Sequence, residues 1–153
     1  MGELSRHSSE RWKRRMEERN SWLEVPKVSK KAKVVVKMGD TLVDQELYPA
    51  LLILNQMGIQ TEYSCAGVSV LDEPEDHSLY AYVTIFDSPQ AQSFISYIQE
   101  KMSHRVLISF EQERNRYDLS SFFIQHNRSF CHALYLIASQ FQKQYFQERV
   151  LNA

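Results

Sequence analysis

The stretch Thr61-Glu62-Tyr63-Ser64-Cys65-Ala66-Gly67 sets a thiol beside a glycine at the end of an alternating segment. A strand that ends this way can expose the thiol together with neighbouring backbone N–H groups, and N–H groups that converge in a turn hold anions. Glu62, Asp72, Asp76 and His77 would supply acid–base groups if the acidic stretch after the turn folds back over it. A thiol nucleophile requires a base within hydrogen-bond reach. His77 and His126 are the histidines placed on loops or strand ends where they could serve. The competing reading is structural: Cys65 is a small buried hydrophobe and Gly67 only permits the turn.

A second cluster follows at Phe122-Phe123-Ile124-Gln125-His126-Asn127-Arg128-Ser129. His126, Asn127 and Arg128 gathered where a strand meets a helix can receive an anion with their side chains and the helix N-terminus together. Alternatively, Asn127 caps the helix and Arg128 is solvated. Tyr80, Tyr82 and Phe86 alternate along one strand. If exposed they could stack nucleobases, and if covered they are core. Cys65, His77, Cys131 and His132 have no zinc-ligand spacing, so no metal is expected. His104, just past a helix, reads as a solvated C-terminal group. Phosphate-loop, dinucleotide and nucleophile-elbow motifs are absent.

These groups need elements to hold them. Residues 5–24 read as a charged helix with a thin apolar stripe through Trp12 and Met16, and residues 25–32 read as a linker. Residues 33–38 form a β-branched strand. Gly39-Asp40-Thr41 offers a turn and cap before a helix over Val43 to Met57. Gly58 follows that helix as its terminator, and Pro49 must either kink it or sit in its first turn. Strands are expected at 59–63, 79–86, 105–112 and 118–125, the last two joined by a turn around Asn115-Arg116. Ser88-Pro89 begins a helix with a cap and a proline at its first position, and a last helix runs from about Arg128 to Gln147. The economical arrangement is α+β: a two-layer sandwich of one mixed sheet with helices on one face, plus the charged N-terminal helix. Residues 1–32 then form the helix and linker, and 33–153 form a single domain.

The 153 residues include four Gly and four Pro, too few for a low-complexity or collagen-like chain. No apolar run approaches the ~20 residues of a membrane span, and the Arg- and Glu-rich start lacks the apolar region of a secretory signal. Two cysteines do not make a disulfide framework, and together these features predict a cytoplasmic protein. The net charge of −1 hides an asymmetry. Residues 1–37 hold eleven Lys+Arg against five Asp+Glu, and residues 38–153 hold seven against fourteen. The basic part could be a solvated helix, could dock on the acidic part in cis or in a homodimer, or could steer toward phosphate in RNA.

The residues Val43-Asp44, Leu47, Pro49, Leu51-Leu52, Leu54-Asn55, Thr61, Ser64-Cys65 and Gly67 together resemble the opening of the tRNA wybutosine-synthesis methyltransferase family. Phe123-Ile124-Gln125-His126 before a helix is similar to that family's strand ending in His. The family's Arg after the turn is Val68 in this chain. The same turn is similar to that of small uncharacterised bacterial and phage proteins. The resemblance implies an α/β architecture and a pocket near Asp44, Ser64, Cys65, Gly67 and His126.

Three functional readings follow. The first is a small protein binding a nucleotide or nucleic-acid phosphate. Backbone N–H groups around Cys65–Gly67 and the guanidinium of Arg128 would meet anionic oxygens, His126 and Asn127 would orient the ligand, and Asp44 or Glu62 would accept from ribose or base. The second is an RNA-modifying enzyme dependent on S-adenosylmethionine, its basic N-terminal segment holding the RNA. The third is a protein–protein adaptor with no small ligand, acting through the N-terminal helix.

Overall fold

The computed structural model describes residues 2–25, 30–31, 34–69, 73–74 and 78–151. The expected linker over 25–32 and the acidic stretch with Asp72, Glu75, Asp76 and His77 lie largely outside the described residues, His77 among them. In chain order the elements are β1 (Gly2–Glu3), α1 (Ser9–Glu24), β2 (Lys30–Lys31), β3 (Val35–Met38), β4 (Thr41–Asp44), α2 (Tyr48–Gln56), β5 (Thr61–Cys65), β6 (Glu73–Pro74), β7 (Tyr82–Phe86), α3 (Pro89–Met102), β8 (Val106–Glu111), β9 (Arg116–Ser121) and α4 (Asn127–Leu151).

The fold is α+β. Its main sheet has five strands in the order β1-β8-β9-β7-β5. Every pairing in it is antiparallel, which corrects the expectation of a mixed sheet. Among the described residues, parallel pairing occurs only in the two-residue ladder of β2 with β6. Antiparallel sheets tolerate one wet face, and this sheet uses that tolerance. Val83, Ile85, Val106, Ile108, Tyr117 and Leu119 are buried on one face. Alternate residues of the same strands, Tyr82, Phe86, Ser109, Asp118 and Ser120, are only partly covered on the other.

The buried face meets α2, α3 and α4. Ser88 caps α3 by accepting the Ala91 N–H, with Pro89 in the first turn, as the residue types predict. Ala91, Phe94, Ile95, Ile98 and Met102 form its buried stripe, and Phe130, Leu134, Ile137 and Phe141 form that of α4. The α2 boundary differs from the sequence reading. Thr41–Asp44 is a strand that pairs with β3 as a hairpin, and the helix begins only at Tyr48 with Pro49 in its first turn. A proline is harmless there because the first-turn N–H groups have no intrahelical partner. The hairpin captures residues that the apolar spacing alone assigns to the helix.

Helix α1 has no fully buried residue and exposes most of its surface, yet it is tied to the domain along one side. Ser8 caps it by accepting from Arg11 N–H, and the preceding strand β1 adds an edge to β8. The helix then docks in cis where β9 ends and β7 begins. His7 stacks on Phe122 with ring centres 3.9 Å apart, and the same burial lowers the His7 pKa below its ordinary value. Arg15 Nη1 donates to the carbonyls of Phe122 (2.7 Å) and Ser121 (3.3 Å).

Glu18 receives the N–H groups of Ile124 (2.6 Å) and Gln125 (3.1 Å), just before α4. The strand-to-helix junction thus already holds an anion, the chain's own carboxylate. Charge-assisted bonds of this kind contribute about 1.5–3 kcal/mol. Glu18→Ala is therefore expected to lower stability by about 2 kcal/mol and to speed amide exchange at Ile124 and Gln125. Unchanged exchange there would refute the anchoring role.

Candidate functional site

Strand β5 carries Cys65 to its end, where the chain turns through Gly67 at φ +75°. The turn is closed by partners from its own chain. Asp44, buried at the end of β4, accepts the Ala66 N–H at 2.7 Å. The Cys65 sulfur accepts from Gly67 N–H at 3.5 Å and from Ser78 N–H at 3.3 Å. The backbone donors that the sequence offers to a ligand phosphate are therefore turned inward. Neither cysteine is in a disulfide, and both are buried. Burial pushes the Cys131 thiol up to about 12, which removes it as a nucleophile at neutral pH.

Asn127 is the first residue of α4, and its side chain is buried rather than capping the helix. Its Oδ1 accepts from Ala81 N–H at 2.9 Å, and Nδ2 donates to the carbonyls of Val68 and Leu79 at 2.8 Å each. One amide thus joins the exit of the turn to the segment 78–81. Gly67 lies against this amide so closely that an added Cβ would sit 2.5 Å from Nδ2 and 2.6 Å from the Ala81 nitrogen.

The remaining candidates separate. Arg128 makes an ion pair with Glu46 at 3.2 Å, close to Asp44 in sequence but on the partly exposed side of α4. His126 is half-buried with its ring edge-on to Phe123. Ser64 is half-buried in β5, opposite Val83. Glu62 belongs elsewhere: it binds Arg114 at 2.7 Å and Arg116 at 3.2 Å, and the Arg116 guanidinium lies 3.6 Å from the centre of the Phe86 ring. The structure therefore unites Asp44, Cys65, Gly67 and Asn127 in one interior tie, brings Arg128 and Glu46 near Asp44 and Cys65 around Cys131, and sets Glu62 apart.

What the tie positions is the segment Ser78–Tyr80, and that segment walls a groove on the partly open face of the sheet. The groove is a shallow, open depression of about 370 Å³ lined by Arg15, Ser78, Leu79, Tyr80, Tyr82, Ser109, Asp118 and Ser120. Cross-strand pairing assembles its floor. Tyr82 stands opposite Ser120, and in the next row Asp118 stands between Thr84 and Ser109. Thr84 Oγ1 donates to Asp118 Oδ1 at 2.6 Å.

At one end the Arg15 guanidinium lies 3.8 Å from the centre of the Tyr80 ring. Burial depresses the Arg15 pKa and raises that of the Tyr80 phenol. A guanidinium stays protonated throughout the physiological range, so Arg15 remains a cation. Sequence reasoning singled out Tyr80 and Tyr82 but missed Arg15, Asp118, Ser109 and Ser120. The alternation Arg-Tyr-Asp-Leu-Ser over residues 116–120 was the available signal for Asp118 and Ser120, because period-2 polarity marks the wet side of a strand.

No protein-family model, curated protein or solved structure matches this chain. No helix among the described residues is long and apolar enough to cross a membrane. No group of three or more His, Cys, Asp or Glu among them is arranged to hold a metal ion.

Proposed function

We propose that this protein binds a nucleotide in the groove on the open face of its sheet. The observation that carries this reading is the convergence of four kinds of group in that groove: the Tyr82 ring, the Arg15 guanidinium, the Asp118 carboxylate and the hydroxyls of Ser78, Ser109 and Ser120. A nucleotide offers a matching set. The ring provides a surface for the base, the guanidinium meets phosphate oxygens, and the carboxylate and hydroxyls meet base or ribose N–H and O–H groups. The volume of about 370 Å³ falls at the lower end of small-molecule sites.

The proposal keeps the ligand class that the sequence suggests and moves its place. A phosphate at the Ser-Cys-Ala-Gly turn would have to displace the Asp44 carboxylate from the Ala66 N–H inside a buried region. The open face requires no such displacement. Cys65, Gly67 and Asn127 then serve the site as positioning residues, because they fix the backbone of Ser78–Tyr80.

The test is direct titration of the full chain with the common nucleoside monophosphates, followed by heteronuclear NMR or calorimetry. At least one should bind with shifts confined to residues of β7, β9 and 78–80. Tyr82→Ala should weaken that binding about five- to a hundredfold, the range base stacking on an aromatic ring supplies. Binding by none of them, or shifts confined to the Cys65 turn, would overturn the proposal.

A further inference from the structure

We infer that the groove selects guanine, and that Asp118 is the residue that does so. The inference rests on the nucleotide reading of the same groove.

Among the described residues, Asp118 is the one carboxylate lining the groove. The Thr84 hydroxyl holds its Oδ1 at 2.6 Å. Among the described residues no hydrogen bond reaches its Oδ2. It sits one row along β9 from Ser120, which faces Tyr82. Residues two apart on a strand are ~7 Å apart, and diagonal partners on neighbouring strands are ~7–8 Å apart. A purine lying on the Tyr82 ring therefore spans the distance to the carboxylate with its edge.

An ionised carboxylate only accepts hydrogen bonds, so it discriminates among bases by the donors they present. Guanine presents two adjacent donors, N1–H and the N2 amino group, which match two carboxylate oxygens side by side in the manner of a bidentate pair. Adenine and cytosine each place a ring-nitrogen lone pair next to the amino group, and uracil flanks its N3–H with two carbonyls. Against a carboxylate each of these brings repulsion with the attraction. The Thr84 bond restrains Oδ1, so turning the carboxylate away from that repulsion would sacrifice a hydrogen bond.

The experiment compares equilibrium binding of guanosine, inosine, adenosine, cytidine and uridine 5′-monophosphates to the full chain and to Asp118→Asn. Guanosine monophosphate is expected to bind about ten- to a hundredfold more tightly than the adenosine, cytidine and uridine nucleotides, the discrimination one good bidentate contact supplies. Inosine monophosphate, which keeps N1–H and lacks the amino group, should fall between, and this comparison needs no variant. Asp118→Asn should abolish the preference. Equal affinities for all five nucleotides would overturn the guanine inference and leave the groove standing as a nucleotide site. Failure of all five to bind would overturn both readings. Guanine preference that survives in Asp118→Asn would refute the role of Asp118.

Discussion

Asn127→Ala is expected to destabilise the protein by about 3–5 kcal/mol. The cost follows from what the side chain leaves behind. Ala81 N–H and the carbonyls of Val68 and Leu79 lose their amide partner at once, in a region where Ala81 and Val68 are fully buried. Each buried polar group left unpaired costs about 1–3 kcal/mol, and partial entry of water keeps the sum below the maximum.

Urea denaturation measures the effect as a fall in midpoint at unchanged slope. A loss under ~1 kcal/mol would mean that the tie is dispensable. The same variant should weaken nucleotide binding more than its stability loss explains, because Leu79 and Tyr80 no longer have a fixed backbone. Saturation experiments under conditions where the variant is fully folded separate the two effects.

Gly67→Ala carries the second large effect, about 3 kcal/mol or more. Two independent terms add. The backbone at φ +75° is left-handed, and a Cβ there costs about 1–2 kcal/mol. The new Cβ would also sit 2.5 Å from Asn127 Nδ2, 2.9 Å from its Cγ and 2.6 Å from the Ala81 nitrogen, so either the amide or the backbone of the 78–81 segment must move.

The pair is predicted to be non-additive. In Asn127→Ala the side chain that blocks the Cβ is gone, so adding Gly67→Ala should cost less than it does in the parent protein. A coupling of about 1 kcal/mol or more in the double-mutant cycle is expected. Simple additivity would show that the Cβ contact with Asn127 is not what limits residue 67.

Features that depend on local interactions are the ones the sequence discloses. The start of α3 was legible because Ser88 and Pro89 act within one turn of themselves, and the apolar stripes of α3 and α4 were legible because their 3.6-residue period records a single buried side. The hairpin at Thr41–Asp44 was not. Its strand depends on pairing with Val35–Met38, and the apolar spacing through Val43 and Leu47 is also compatible with a helix. The antiparallel sense of the sheet was equally hidden, since strand direction follows from connections and not from strand composition.

The site shows the same division. The residue types in 61–67 and 126–128 pointed to a ligand site, and the structure brings Gly67 of the first and Asn127 of the second into contact inside the fold. Their chemistry could not reveal that they face each other, because the contact joins a turn to a helix start sixty residues away in the chain. An N–H group in a turn looks the same in sequence whether it faces solvent or the carboxylate of Asp44.

Sequence by itself determined the apolar stripes of α3 and α4 and the aromatic character of the strand with Tyr82 and Phe86; Tyr80, expected in the same strand, lies just before it. Only the tertiary structure decided which polar groups are consumed internally. It alone set Asp118, Ser109 and Ser120 on the face that holds Tyr82, because strand register is a property of the assembled sheet, and it alone brought Arg15 there through the docking of α1 on the Ser121 and Phe122 carbonyls.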